Sequence, residues 1–332
     1  MHHFPIRKLL IVPIVLTFVF AVQVKKSGAQ GTPAVPLKWV QVSRPNAPSP
    51  RNAAMMAYDA VTKKIVLFGG YDGSQYLNDT WTFAGGQWMQ LHPQVSPPVR
   101  NSAGFAYDVP TRRLVLFAGY NGSQYLNDTW IWNGANSTWT QASPQTVLKA
   151  VTGPSVFTDP KSGHAITYGG YDGKFYQSSN YEWTGSDWKL LQPANSPTAR
   201  GAAAAGVDPV HHIVVLYGGL GSLNPNNTWT WDGTTWTEQS PAHQPSQRYY
   251  AGASFDPQLQ EVVFFGGGSG GVPQNDSWAW TGTDWQLLSP TSSPAPVESF
   301  AMTTDFATGR LAIFGGDNGQ NYNNQVWVLV GK

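Results

Sequence analysis

Arginine and tyrosine are the side chains in this sequence whose spacing points to chemistry. Four arginines recur at similar places in a repeating pattern: Arg51, Arg100, Arg200 and Arg248. Tyrosines recur beside an Asp or Asn, in the groups Tyr71, Asp72 and Tyr76; Tyr120, Asn121 and Tyr125; Tyr171, Asp172 and Tyr176; and Asp317 with Tyr322. Arginine offers a planar fork of donors that fits carboxylates, and tyrosine offers a flat ring with a hydroxyl group. A surface that combined them would suit an acidic glycan or an acidic peptide.

The same arginines and tyrosines also have a structural interpretation. A residue that recurs in several copies of a repeat is what a structural role would produce as well. Each arginine could bind loop carbonyls or neighbouring Asp side chains within its own copy. The sequence leaves both interpretations open.

Several other chemistries lack the residues they need. The chain has no cysteine, which excludes disulfides and thiolate metal sites. Its seven histidines show no metal-ligand spacing, and a lone or paired surface histidine is usually solvated. We therefore expect no metal and no cofactor, and no set of catalytic residues stands out.

The composition predicts an all-β protein. The 332 residues include 15 Trp, 14 Tyr, 15 Phe, 35 Gly and 25 Pro, but only 12% charged residues, which is typical of strands joined by tight turns. A net charge of +1 without any run of Lys or Arg gives no general attraction for phosphate backbones. Nucleic acid is therefore not an expected partner.

The N-terminus has the features of an export signal. Arg7 and Lys8 precede an apolar run over residues 9–24, and small residues end at Ala29, after which we expect cleavage. The alternative is an uncleaved membrane anchor, because Pro13 interrupts the run and two lysines follow it. The sequence thus predicts a signal over 1–29, a linker over 30–36, a domain over 37–332, and a secreted or periplasmic protein.

An internal repeat of about 49 residues organises that domain. Tryptophans recur at 39, 88, 139, 188, 236 and 285, and Asp recurs in the same register from Asp59 to Asp305. A pair of small residues, such as Gly69 and Gly70, completes each copy. All 15 tryptophans fall on repeated positions, so we expect none of them to be a ligand platform.

Each repeat predicts four strands. A stretch rich in Ala, Gly and Ser suits an innermost strand, an Asp turn follows, and a continuous apolar run such as 65–68 suits a strand covered on both faces. The glycine pair, an aromatic third strand and a fourth strand with the recurrent Trp come next. The repeats are expected at about 51–99, 100–150, 151–199, 200–247, 248–297 and 298–332.

The last repeat lacks its fourth strand, and residues 37–43 around Trp39 supply a strand without a repeat. Pairing the two would close the ring and remove the open edge. The predicted fold is a six-bladed β-propeller of four-stranded blades, closed by the N-terminal strand.

The glycine pair, the aromatic third strand and the Trp seven residues after Trp81 resemble the kelch repeat, especially units such as Asn78 to Phe83 and Asn127 to Trp132. The resemblance implies that the loop before each inner strand and the loop after each glycine pair share one face, around the mouth of a central channel. The four arginines would then lie at that mouth with the tyrosine groups. Val151 and Glu298 would occupy the two positions without arginine.

Three functions compete under this resemblance. The leading one is a monomeric, non-catalytic module that binds a glycan or an acidic peptide or protein at the channel mouth and contacts a membrane only if the anchor is retained. The second is a carbohydrate-modifying enzyme similar to sialic acid mutarotases, with Glu298 as acid/base and an arginine on the substrate carboxylate. The third, copper chemistry like that of galactose oxidase, needs a cysteine and is excluded.

Overall fold

The computed structural model describes residues 35–42, 46–221, 223 and 225–331. Every regular element within these ranges is a β-strand. Val35–Lys332 form one compact unit. The signal predicted over 1–29 and most of the predicted linker lie outside the described residues. In the described ranges, no helix is long and apolar enough to cross a membrane.

The described strands form six antiparallel four-stranded sheets, the blades of a propeller. Blade 1 contains β2 (Met55–Asp59), β3 (Lys64–Tyr71), β4 (Tyr76–Ala84) and β5 (Gln87–Leu91). Blade 2 contains β6 (Gly104–Asp108), β7 (Arg113–Phe117), β8 (Thr129–Asn133) and β9 (Thr138–Gln141). Blade 3 contains β10 (Ser155–Thr158), β11 (Ala165–Tyr168), β12 (Asn180–Trp183) and β13 (Trp188–Leu191).

The second half repeats this plan. Blade 4 contains β15 (Ala204–Asp208), β16 (Ile213–Tyr217), β18 (Thr228–Trp231) and β19 (Trp236–Gln239). Blade 5 contains β20 (Gly252–Asp256), β21 (Glu261–Phe265), β24 (Ser277–Trp280) and β25 (Trp285–Leu288). Blade 6 contains β26 (Ala301–Asp305), β27 (Arg310–Phe314), β28 (Val326–Val330) and β1 (Lys38–Gln41). Two short pairs, β14 (Arg200–Gly201) with β17 (Leu220–Gly221) and β22 (Gly268–Ser269) with β23 (Val272–Pro273), lie in the loops of blades 4 and 5.

The N-terminal strand closes the ring, as predicted. β1 pairs antiparallel with β28, from Lys38 opposite Val330 to Gln41 opposite Trp327. Trp39 is buried between blades 5 and 6, where its indole donates to Ser277 Oγ at 3.1 Å and its ring lies 4.9 Å from Phe265. The fold class and blade count predicted from the sequence are therefore confirmed.

Apolar side chains from neighbouring blades form the core. The described residues give six hydrophobic clusters, and each combines two adjacent blades around the ring. The second strands supply residues that are almost fully buried, such as Leu67, Leu116 and Phe264. The aromatic pairs of the third strands fill the same interfaces, as Trp130 and Trp132 do between blades 1 and 2. Burial of both sheet faces explains why the second strands are apolar without alternation.

The turns follow the chemistry expected from the sequence. Asp59 ends the inner strand of blade 1, and its Oδ1 accepts the N–H of Val61 at 3.0 Å. The equivalent Asp305 of blade 6 accepts from Ala307 at the same distance. Gly69 has a φ of 63°, and a Cβ there would lie 2.6 Å from the carbonyl oxygen of Arg100 in the next blade. The small pair is thus required by both backbone conformation and the approach of the neighbouring blade.

A ring of backbone hydrogen bonds, the collar, encircles the channel at the end where the inner strands begin. In each blade, the residue two positions after the equivalent of Arg51 donates its backbone N–H. The acceptor is the carbonyl oxygen of the equivalent residue in the preceding blade. The donor and acceptor residues are Ala53 to Ser299 (2.5 Å), Ser102 to Ala53 (2.9 Å), Gly153 to Ser102 (2.8 Å), Ala202 to Gly153 (2.8 Å), Tyr250 to Ala202 (3.0 Å) and Ser299 to Tyr250 (2.9 Å). All six have φ between 48° and 61° although five are not glycine. The collar thus holds a conformation that these side chains disfavour in isolation.

Tryptophan indoles also join the blades. The fourth-strand Trp of one blade donates to the residue just before the first third-strand aromatic residue of the preceding blade. The pairs are Trp139 with Thr80 (3.0 Å), Trp188 with Thr129 (2.8 Å), Trp236 with Asn180 (2.9 Å), Trp285 with Thr228 (2.8 Å) and Trp39 with Ser277 (3.1 Å). The sixth, Trp88, meets Val326 at the equivalent position, and its Nε1 is buried without a partner. These contacts account for the polar residue before the third-strand aromatic.

Replacing Val326 by Thr is expected to stabilise the protein. The hydroxyl would accept from Trp88 Nε1, as Thr80 accepts from Trp139, and a satisfied buried donor contributes about 0.5–1.5 kcal/mol. Denaturant unfolding of Val326→Thr against the parent protein measures this change. Val328→Thr on the same strand is the control and should give no gain. A Val326→Thr protein no more stable than that control would contradict the assignment.

Candidate functional site

The loops around the collar form the candidate site, which we call the mouth. The residue before each collar residue pairs by backbone bonds with the residue after the small pair. These pairs are Asn52 with Tyr71, Asn101 with Tyr120, Thr152 with Tyr171, Gly201 with Leu220, Tyr249 with Gly268 and Glu298 with Asp317. Both loop sets thus lie at one end of the channel, as the resemblance implied.

The four arginines lie beneath this surface, with 0 to 3% of their area exposed. Each Nη1 binds the carbonyl 18 residues ahead and an Asp or Asn side chain of the same blade. The distances to that side chain are 2.6 Å from Arg51 to Asp79, 2.7 Å from Arg100 to Asp128, 2.9 Å from Arg200 to Asn227 and 2.5 Å from Arg248 to Asp276. The expectation that these guanidinium groups line the mouth does not match their burial, and the structural alternative does.

A sequence signal for this role exists in the third strand. Arg51, Arg100 and Arg248 occur in blades with an Asp two residues before the first third-strand Trp. That Asp also accepts the indole N–H, at 2.6 Å from Trp81 and 2.7 Å from Trp130 and Trp278. Blades 3 and 6 have valine at the arginine position and Ser179 or Gln325 at the Asp position. The two positions change together, as paired residues would.

Glu298 belongs to a different position from the one assigned by sequence. The sixth equivalent of Arg51 is Val297, because its carbonyl accepts from Gly267 just as the carbonyl of Arg51 accepts from Gly316. Val297 is buried, whereas Glu298 lies in the mouth and pairs with Asp317. The sequence-based alignment was therefore one residue off in blade 6, and Val151 was placed correctly.

Seven tyrosines form a continuous series at the mouth, the tyrosine arc. The ring centroids are 6.0 Å apart for Tyr322 and Tyr71, 4.8 Å for Tyr71 and Tyr76, 5.6 Å for Tyr76 and Tyr120, 5.2 Å for Tyr120 and Tyr125, 6.0 Å for Tyr125 and Tyr171, and 4.9 Å for Tyr171 and Tyr176. The arc spans blades 6, 1, 2 and 3, and every ring in it is partly exposed. These spacings are those of contacting aromatic rings.

Glycines set the spacing of the arc. A Cβ on Gly122 would lie 2.6 Å from Tyr76 Cε2, and one on Gly173 would lie 2.5 Å from Tyr125 Cε2. The second tyrosine of the loops in blades 1 and 2 therefore rests on the glycine of the next loop. This contact explains why the two tyrosines and the glycine recur together in the sequence.

The acidic residues of these loops hold the loop backbone. Asp72 Oδ1 accepts the N–H groups of Ser74 and Gln75, both at 2.8 Å, and Asn121 does the same in blade 2. Desolvation raises the pKa of Asp72, but these hydrogen bonds outweigh it and lower the value to about 2. Hydrogen bonds from Phe175 and Lys174 likewise lower the pKa of Asp172. Both carboxylates are thus ionised at neutral pH.

The channel below the mouth encloses about 210 Å³. Most of the residues that line it are Ala, Gly and Ser of the inner strands and the collar. Tyr250 is the one large collar residue. Burial, and then the charges of Tyr176 and Glu298, raise its pKa.

Glu298 is the unusual polar residue of the mouth. Its Oε2 is buried and has no hydrogen-bond partner among the described residues. Burial, and then the charge of Asp317, raise its pKa. The carboxylate lies against Gly268, where a Cβ would be 1.9 Å from Oε2 and 2.6 Å from Tyr249 Cε2.

Blades 4 and 5 interrupt the arc. Leu220 and Gly268 stand where the other described blades have Tyr or Asp. The loop tips of blades 3, 4 and 5 instead expose Phe175, Leu223 and Val272, by 59%, 78% and 60%. Within the described residues, no group of three or more His, Cys, Asp or Glu could hold a metal ion.

Comparison with known proteins agrees with this geometry. A family model described as the KLHDC2/KLHL20/DRC7 Kelch-repeats domain matches residues 35–183, which hold the closing strand and the first three blades up to Trp183. No curated protein matches the chain. The unmatched blades have the same strand order, Asp turns, small pairs and indole bonds as the matched ones. The chain therefore belongs to the kelch-repeat β-propeller family.

Proposed function

We propose that this kelch propeller is an exported, monomeric module that binds a glycan on the tyrosine arc. As a kelch-repeat propeller the chain is a binding or interaction module, and such propellers generally mediate protein interactions. The observation that carries the finer proposal is the run of seven partly exposed tyrosine rings in mutual contact. The N-terminal signal predicted from the sequence supports the export part.

Sugar rings suit the arc for two physical reasons. Their apolar C–H faces pack on aromatic rings, and their hydroxyl groups need hydrogen-bond partners. Tyr71 and Tyr171 donate to Gly73 and Gly173 within their own loops. Among the described residues, the other five hydroxyls of the arc have no protein partner: those of Tyr76, Tyr120, Tyr125, Tyr176 and Tyr322. These five groups are therefore available to sugar hydroxyls along a curved surface.

An acidic ligand is less suited to the mouth than the sequence suggested. The arginines that would have bound its carboxylates are buried and paired. The remaining charged groups include Asp72 and Asp172, which carry negative charge at neutral pH. Two exposed lysines, Lys149 and Lys174, lie on blade 3 alone and one of them pairs with Asp172. The proposal therefore favours a glycan without carboxylates.

Binding of oligosaccharides to the purified protein, measured on an array and by calorimetry, tests the proposal. Replacing Tyr76 and Tyr125 together by Ala should weaken binding about fivefold or more, since an aromatic contact contributes about 0.5–1.5 kcal/mol per ring. Tyr76→Phe keeps the ring and isolates the contribution of the hydroxyl. Tyr58→Ala, at the opposite end of the inner strand, is the matched control. Binding of peptides but no glycan, or an unchanged affinity in the double variant, would overturn the proposal.

A carbohydrate-modifying activity is the second candidate, and Glu298 is the observation that favours it. A buried carboxyl with a raised pKa is suited to transfer protons. The arginine that a sialic acid mutarotase-like mechanism would need is committed to Asp or Asn in four blades. Anomer exchange of sialic acid should therefore be equally fast with and without the protein, and acceleration abolished in Glu298→Gln would favour the enzyme.

A further inference from the structure

Two acceptor oxygens at the mouth are buried without partners on adjacent blades. They are Glu298 Oε2 in blade 6 and Asn52 Oδ1 in blade 1. Both residues directly precede collar residues, and those two collar residues are joined by the bond from Ala53 N–H to Ser299 O. A buried acceptor without a donor is costly, because it has lost its hydrogen bonds to water. A ligand that donates hydrogen bonds would satisfy both oxygens.

The charge around Glu298 indicates which kind of donor fits. The described parts of the mouth loops in blades 5, 6 and 1 contain no lysine, and their two arginines are bound to Asp79 and Asp276. Asp317 lies opposite Glu298 in the backbone pair and adds negative charge. A cationic donor would form a hydrogen bond to Glu298 Oε2 and would also neutralise the negative charge around it. Hydrogen bonds between charged groups are stronger than those between neutral groups.

Aromatic rings enclose the same place. Tyr249 packs beside the Glu298 carboxylate at Gly268, and Tyr250 joins Ser299 through the collar. Tyr322 and Tyr71, at the end of the arc, are contributed by blades 6 and 1. Ring faces attract cations, so the surroundings suit an ammonium group as well as the sugar that carries it.

We propose that the ligand is an amino glycan, a chain of hexosamine units with free amino groups, whose ammonium group pairs with Glu298 while its sugar rings lie on the tyrosine arc. The inference rests on the proposed glycan binding and specifies its substrate class. It explains why blade 6 carries a carboxylate at a position where the other described blades have Asn, Thr, Gly or Tyr.

Calorimetry with a glucosamine hexamer and its fully N-acetylated counterpart tests the inference. Acetylation removes the charge and keeps the sugar ring. The free-amine oligomer should bind at least about tenfold more tightly, and Glu298→Gln should reduce that ratio to about twofold or less. If the variant is poorly folded, added salt serves instead, and should weaken binding of the free-amine oligomer alone.

The outcomes separate the two proposals. Equal affinity of both oligomers for the parent protein would overturn the amino-glycan inference and leave glycan binding standing. Failure of both to bind, with no other glycan bound on the array, would overturn the glycan proposal as well. A hexalysine peptide that binds as tightly as the glucosamine hexamer would show that charge alone is recognised and would also overturn the inference.

Discussion

Removal of the closing strand is expected to unfold the whole ring rather than to trim one blade. A chain that begins at Val42 loses β1, which exposes the edge of β28 and the cavity left by Trp39. Trp39 alone contacts two blades, and truncation of a buried aromatic residue costs about 3–5 kcal/mol. Residues 37 and 39 also bond to Thr291 and Ser292 of the preceding blade. Thermal unfolding followed by near-ultraviolet circular dichroism measures the loss.

The matched control is a chain that begins at Val35 and keeps the strand. It should melt as the full chain does. The point variant Trp39→Ala should lower stability by about 3–5 kcal/mol, while Lys38→Ala, on an exposed neighbour, should change it little. A chain from Val42 that melts cooperatively at the temperature of the control would show that the ring does not need its borrowed strand.

Arg100→Ala is expected to destabilise the protein by about 3 kcal/mol without a specific effect on ligand binding. The guanidinium group forms two bonds of 2.7 Å to Asp128 and one of 3.0 Å to the carbonyl of Ala118. Removing one partner of a buried ion pair leaves the other charge uncompensated, which costs about 3–5 kcal/mol. The side chain of Asp128 is 18% exposed, so water stabilises part of the charge that is left. We therefore expect a loss at the lower end of this range of about 3–5 kcal/mol. Denaturant unfolding gives the value.

The protein contains its own control for this variant. Blade 6 replaces the pair with Val297 and Gln325, and Gln325 still accepts the indole of Trp327 at 3.0 Å. Arg100→Val combined with Asp128→Gln copies that arrangement into blade 2. The double variant should recover most of the stability that Arg100→Ala loses. A double variant less stable than the single one, or one that folds normally but loses ligand binding, would contradict the structural role.

The fold could be predicted from the sequence because each blade uses the same residue types at the same positions. Trp, Asp and the small pair recur in one register, and each has a physical task in every copy. The strand that closes the ring was predictable because Trp39 lies one period before Trp88 without a repeat of its own. The repeat therefore predicted the number of blades and the closure of the ring, which the pattern of a single strand could not.

The mouth was harder to predict, since repetition alone does not separate binding from structure. The burial of Arg100 follows from a partner 28 residues away, which only the joint absence of arginine and Asp in blades 3 and 6 could have revealed. The one-residue shift at Glu298 arose because Val297 gives no polar signal, and repeat lengths vary by a few residues. The contact of Tyr76 with Gly122 joins different blades and is visible only once the ring is closed.

The closing strand also brings the two ends of the propeller together. A Cβ on Gly331 would lie 2.4 Å from the carbonyl oxygen of Pro36, so the chain arrives and leaves at one point. Because β1 runs antiparallel to β28, this point lies at the end of blade 6 away from the mouth. A circular permutant that joins these ends and opens a hairpin elsewhere should therefore keep the strand pairs within the blades and the packing between them. A protein fused directly to either end of the propeller would therefore be attached on the side of the ring opposite the tyrosine arc.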